Sequence, residues 1–125
     1  MILDTNALSA VADGEEAIEP VFREATEIAL PVIVLGEYRY GIRQSRERAR
    51  YQEWLAEIVV ASRVLHVTEE TTEFYADIRH ELKRKGRPLP ANDIWIAALA
   101  IEHSLPVLTR DQHFDLVSGL RRIGW

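Results

Sequence analysis

MILDTNALS, residues 1–9, opens the chain with three apolar residues, an acid and two cap-type side chains. Met1–Asp4 reads as a short strand, and Asp, Thr and Asn are the residue types that begin a following helix. The same order of apolar run, acid and helix or turn recurs downstream. Ile28–Val34 is a β-branched run around Pro31 that suits a buried strand, leading to Glu37 and a helical segment ending near Ile42. Val64–Val67 and Val107–Thr109 read as two more strands, and Arg121–Trp125 as a short terminal one. Strands alternating with helices predict an α/β domain with a mostly parallel central sheet.

The helices are legible by period. An acidic helix is expected through Glu15–Thr26. Tyr51, Trp54, Leu55, Ile58 and Val59 fall at i, i+3, i+4, i+7 and i+8, an amphipathic helix. Phe74, Tyr75, Ile78 and Leu82 mark another, which stops at Gly86, where a glycine just past a helix end is expected. An RPLP loop follows. Ile94–Ile101 is apolar nearly all round, so it should pack on both sides, with Asp93 at its opening and Ala97 and Ala100 on the same face.

Composition sets the class. At 125 residues, 47% hydrophobic, the chain has the length and apolar content for one core, and a single domain spanning 1–125 is expected. There is no cysteine, which removes disulfides, thiolate zinc sites and cysteine nucleophiles and agrees with a reducing cytoplasm. The four histidines (His66, His80, His103 and His113) form no close pair of zinc-ligand spacing. No apolar stretch is long enough to span a bilayer, and Asp4 interrupts the first strand where a signal peptide would need an unbroken apolar core, so an unexported protein with no membrane partner is expected. The formal net charge of −5 argues against a strongly basic nucleic-acid binder. Its distribution points the other way. Arg39–Arg50 and Arg79–Arg87 each hold five basic residues, and Arg43, Arg46, Lys83 and Arg87 are candidate contacts to a polyanion backbone, against the plainer reading of solvated helix faces.

Four carboxylates stand where strands give way to helices or turns: Asp4 in MILDTN, Glu37 in VIVLGEYRYG, Asp93 in PANDIWIAALA and Asp111 in VLTRDQHF. In a parallel sheet all four can meet at one edge, the edge where open α/β sheets place their active sites. Helix capping accounts for Asp4 or Asp111 taken alone, and a helix dipole accounts for Asp93. Glu37 ends an apolar run where an unpaired charge is costly. As a set, three aspartates placed alike and one glutamate exceed what capping explains. Like charges about 4 Å apart repel by roughly 4 kcal/mol at an effective dielectric near 20, so such a cluster calls for protons or a hard divalent cation.

With these residues in hand, the chain resembles the PIN-domain ribonucleases, and specifically the VapC-type toxins of prokaryotic toxin–antitoxin pairs. MILDTNALS, VIVLGEYRYG, LPANDIWIAALA and VLTRDQHF look like the family's four acidic motifs in order, so the resemblance covers the whole chain. It implies a three-layer α/β/α fold, a homodimer, and Asp4, Glu37, Asp93 and Asp111 as catalytic acids binding Mg²⁺ or Mn²⁺. Thr5, Asn6, Asn92 and Thr109 fall at neighbouring motif positions and would orient carboxylates or water. His113 sits where relatives carry an additional acid. The resemblance further implies an RNA substrate, cleavage leaving 5′-phosphate and 3′-hydroxyl ends, and neutralisation by a cognate VapB-type antitoxin. Such a metal site would polarise phosphoryl oxygens and activate water without a histidine base.

Two other classes compete. An aspartyl-phosphate phosphatase or phosphoacceptor domain would use Asp4 as nucleophile, but the phosphatase form wants a second aspartate where Asn6 stands, and a receiver domain a late lysine, whereas none follows Lys85. A non-catalytic PIN-like interaction module would keep the fold without needing all four acids.

Overall fold

The computed structural model describes Met1–Trp125 throughout. Five short strands, β1 (Ile2–Leu3), β2 (Ala29–Pro31), β3 (Arg63–Leu65), β4 (Val107–Leu108) and β5 (Arg122–Ile123), form one sheet in the order β3-β2-β1-β4-β5. Every pairing is parallel. Between them run α1 (Thr5–Ala12), α2 (Glu19–Glu24), α3 (Val32–Ile42), α4 (Arg48–Ala61), α5 (Glu69–Arg84) and α6 (Ala91–Glu102), and a 3₁₀ turn at Gln112–Leu116 precedes β5. The helices cover both faces of the sheet, the α/β/α arrangement expected.

Strand order places the site. From β1 the chain winds outward through β2 to β3, then crosses back to β4 on the other side of β1. Connections therefore leave β1 and β4 in opposite directions, and the crevice outside their carboxyl ends is the switch point where such sheets bind ligands. Register makes the two strands neighbours residue by residue, Ile2 beside Val107 and Leu3 beside Leu108. Asp4 and Thr109 are the next residues along each. The Asp4 amide donates to the Leu108 carbonyl at 3.3 Å, so the two leave the sheet side by side.

Local boundaries differ from the sequence reading at three places. The run Ile28–Val34 is divided: β2 ends at Pro31, which has no N–H to extend the ladder, and Val32 already begins α3. Burial of Val34, Leu35, Tyr38 and Ile42, a helical stripe, outweighs the strand preference of the valines and isoleucine. The acidic helix is only Glu19–Glu24, started by Pro20 in its first turn. The third strand is Arg63–Leu65 rather than Val64–Val67.

Elsewhere the pattern and the fold agree. α5 ends before Gly86, whose φ of +65° is the left-handed conformation that glycine adopts without a Cβ clash. In α6, Ile94 and the run Ile96–Ala100 are buried, so this helix is enclosed as its all-round apolarity requires. Tyr75 of α5 stacks on Trp95 of α6 with ring centroids 3.9 Å apart, which fixes the two helices against one another. The buried side chains form one contiguous core cluster.

Candidate active site

Asp4 is 5% exposed and caps α1, its Oδ1 accepting the Ala7 amide at 2.9 Å. Its Oδ2 accepts from Asn6 Nδ2 at 2.9 Å and from the fully buried Thr109 hydroxyl. Capping and site membership are thus compatible for this residue. Three of the roughly four acceptor positions of a carboxylate are filled by fixed donors, which locks the group and leaves room for about one further partner.

The other three acids arrive from separate elements. Glu37 is in the second turn of α3, not at a strand end, and its Oε1 accepts the Thr5 hydroxyl at 2.9 Å. Asp93 lies in the first turn of α6, where the helix dipole favours a negative charge. Asp111 caps the 3₁₀ turn: its Oδ1 accepts the His113 amide at 2.9 Å and sits 2.7 Å from His113 Nδ1, while its own amide donates to the Thr109 hydroxyl at 2.9 Å. His113 itself is largely exposed and buttresses the turn. All four acids line one cavity of about 270 Å³, with Thr5, Asn6, Ser9 and Ile96 completing the wall.

No lysine, arginine or histidine lines that cavity. The electrostatic consequence falls on two residues. Burial pushes the Asp4 carboxyl up to about 6; the hydrogen bonds from Thr109 and Ala7 oppose this, and the charges of Asp93 and Asp111 add to it. Asp93 is also raised, by burial first and then by Asp111 and Glu37, with His113 pulling the other way. The pocket is short of positive charge.

Of the remaining sequence candidates, Thr5, Asn6 and Thr109 are bonded to the acids as described, and Asn6 Oδ1 also accepts the Arg110 amide at 3.2 Å. Asn92 does not line the acid cavity. It borders an adjoining hollow together with Thr5, Glu37 and Tyr40. Arg43 and Arg46 lie at the α3–α4 junction, and Lys83 and Arg87 at the end of α5; all four are exposed, carry no ion pair and stand outside the acid cavity. Ser9 and Ile96 are wall residues that motif reading missed. The signal was there: Ser9 is four residues after Thr5 and Ile96 three after Asp93, so each repeats a site residue's helix face.

The donor set suits a hard cation. Every polar wall atom is oxygen or amide, none is sulfur or imidazole, and two acids carry proton affinities raised by burial first and by neighbouring carboxylates second. No three acids or histidines are drawn together as a finished ligand set. Magnesium keeps several waters and needs only one or two direct carboxylates, which an open cavity rimmed by four of them can supply.

An all-parallel sheet with an acid-lined crevice at its switch point matches a known family: the sequence fits the PIN domain over residues 1–120, and the chain belongs to that family. Within it, the chain is 31% identical over 120 residues to Ribonuclease VapC5 of Mycobacterium tuberculosis, across 94% of this chain and 87% of that protein. Two solved structures superpose closely. DNA-bound VapBC from Salmonella typhimurium gives a TM-score of 0.87 at 28% identity, covering 99% of this chain and 96% of its own. VapBC2 from Rickettsia felis, bound to a DNA fragment from its promoter, gives 0.88 over 99% and 97%, and at 24% identity that likeness is one of fold. No helix is long and apolar enough to cross a membrane.

Proposed function

We propose that this chain, read as a single PIN domain over 1–125, is a divalent-metal-dependent endoribonuclease toxin of the cytoplasm, active as a homodimer and neutralised by a cognate VapB-type antitoxin. The observation that carries the reading is the convergence of Asp4, Glu37, Asp93 and Asp111 on one cavity that no lysine, arginine or histidine lines. The relatives supply the substrate class and partner, since VapC5 is named a ribonuclease and the structural neighbours are VapBC complexes.

The four acids would hold Mg²⁺ or Mn²⁺, which when bound polarises phosphoryl oxygens and lowers the pKa of water. Thr109, Asn6 and Thr5 keep Asp4 and Glu37 aimed, and Asn92 borders the adjoining hollow. Burial raises the Asp4 carboxyl to about 6, and a bound cation would favour its ionised form, so ion binding should release protons below neutral pH. The bonds already made by both Asp4 oxygens count against a nucleophilic role in an aspartyl-phosphate enzyme. Four converging acids count against a non-catalytic module.

The test is cleavage of single-stranded RNA by freshly purified protein. Chelator should abolish cleavage, and Mg²⁺ or Mn²⁺ should restore it. Without RNA, the same ions should raise the melting temperature in proportion to the logarithm of their concentration. Cleavage that is undiminished in excess chelator, with no ion-dependent shift in melting, would refute the metal mechanism.

Arg43, Arg46, Lys83 and Arg87, exposed and unpaired, are the proposed contacts to RNA backbone. Neutralising Arg43 with Arg46, or Lys83 with Arg87, should weaken binding across RNA sequences and reduce the salt slope by up to about 0.7 per lost contact. Unchanged affinity and slope in both pairs would return them to ordinary solvated surface.

A further inference from the structure

The RPLP loop, residues 87–90, joins α5 to α6 and, through Pro88 and Leu89, helps enclose a cavity of about 440 Å³ with the last turns of α5 and the first turn of α6. Pro88 and Ala91 are exposed and offer apolar surface openly, while buried Leu82, Leu89 and Ile94 close the back. The polar part of the wall is two exposed cations, Arg79 and Lys83, and no acid lines it. These cations stand four apart on one helix face, where like charges repel. Neither has an acid three or four residues away, because Glu81 pairs with Lys85 at 2.6 Å instead. The Arg79 guanidinium is steadied without being neutralised: it donates to the Tyr75 hydroxyl at 2.8 Å and lies 5.9 Å from the centre of that ring.

The cavity is continuous with the acid site around the end of α6. Successive helix residues are turned by about 100°. Ala91 and Ile94 therefore face this cavity, Asn92 the hollow that it shares with Thr5 and Glu37, and Asp93 the acid cavity. A chain that places a phosphodiester at the acids and bends round this turn reaches the apolar wall and the two cations.

The wall chemistry selects the occupant. An apolar surface beside unpaired cations suits a ligand that joins a flat, weakly polar body to an anion, as a nucleotide does. An acidic peptide would suit the cations, but its carboxylates would be repelled along the path past Glu37 and Asp93. No neutral hydrogen-bonding side chain lines the cavity, so a base would be held by its faces and its edge read little. Unpaired bases of single-stranded RNA are free to be splayed into such a pocket.

We propose that this cavity seats one nucleotide of the substrate strand, a short distance from the cleaved phosphodiester, with its base against Pro88 and Ala91 and its phosphate on Arg79 and Lys83. The proposal rests on the ribonuclease reading and adds to it an anchoring subsite that tolerates any base but requires one.

Two variants test it. Ala91→Leu fills the cavity from an exposed position at the start of α6, where leucine is a good helix former, and should melt like the parent. Arg79→Gln removes one cation. The probe is a short RNA with one mapped cut, made in versions that each lack a single base. For the parent, kcat/KM should fall about 5-fold or more when one particular base near the cut is missing, the low end for a stacked base. Ala91→Leu should cut the complete RNA about as poorly as the parent cuts that version, and removing the base should then cost nothing further. Arg79→Gln should weaken binding of every version alike and reduce its salt slope by up to about 0.7. A scan in which no base matters overturns the proposal and leaves the ribonuclease reading standing. Base sensitivity that is the same in Ala91→Leu as in the parent overturns it too, and if that variant also dissociates into monomers, the occupant is a second copy of this chain. An unchanged salt slope for Arg79→Gln removes the phosphate seat and the proposal with it. A parent that cuts no RNA overturns the ribonuclease reading and this proposal together.

Discussion

Asp4→Asn is expected to reduce RNA cleavage by more than about 100-fold, above the cost of losing a supporting group, while the metal-free protein stays at least as stable at pH 7. Asparagine keeps an acceptor for the Ala7 amide and so keeps the cap. It gives up the negative charge and the two bonds that Oδ2 accepts, from Asn6 and from Thr109, together worth about 2 kcal/mol. The charge is the larger quantity. With Asp4 raised to about 6 from the ordinary 3.8, the folded state binds the proton more tightly than the unfolded chain, so the stability this confers is complete below about pH 4 and lost as the pH rises through 6. Above pH 7 the carboxylate costs the fold about 3 kcal/mol, which asparagine avoids. In chelator, the stability gap between variant and parent should therefore widen in favour of the variant between about pH 4 and 6. Thermal melts across that range, beside a cleavage assay, check both halves. A variant that melts lower at every pH and cuts at the parental rate would make Asp4 a structural cap and nothing more.

Phe114→Ala should cost about 3–5 kcal/mol of stability, the usual range for removing a buried aromatic ring. Phe114 is 1% exposed within the 3₁₀ turn that Asp111 caps, and its amide is bonded to the Asp111 carbonyl at 3.4 Å. The ring anchors the turn to the core, so its loss should also lower cleavage in the fraction that remains folded. Urea titration with an unchanged m-value would isolate the stability term. His113→Gln is the control, since an exposed side chain on the same turn should cost far less. Equal losses in the two variants would mean that the turn is held by its caps and not by the ring.

How much of this was readable before folding depends on the reach of each signal. Asp4, Asp93 and Asp111 announced themselves because capping and site placement both depend on the junction of strand and helix, a local feature. The helical stripes through Tyr51–Val59 and Phe74–Leu82 were equally local. Glu37 was identified but misplaced: β-branched Val32, Ile33 and Val34 read as strand, and only the burial of Val34, Leu35, Tyr38 and Ile42 together turns that run into helix. The hydroxyl that steadies Asp4 was named as a neighbour of Asp111. Its bond to Asp4 is made by pairing of β1 with β4, a contact that no local pattern records. The Tyr38 hydroxyl, buried without a hydrogen-bond partner, was likewise out of reach, because a tyrosine in an apolar run looks the same whether or not its oxygen finds one.

The pairing of β1 with β4 also orders events in time. Asp4 and Thr109 are 105 residues apart in the chain. At about 5–20 residues per second a ribosome needs roughly 5–20 s to travel between them, and domains fold as units once their segments have emerged. Through that interval Asp4 and Glu37 exist without the strand that completes their pocket. A chain still being made therefore lacks the complete acid pocket, which closes only after the ribosome has delivered Thr109 and Asp111.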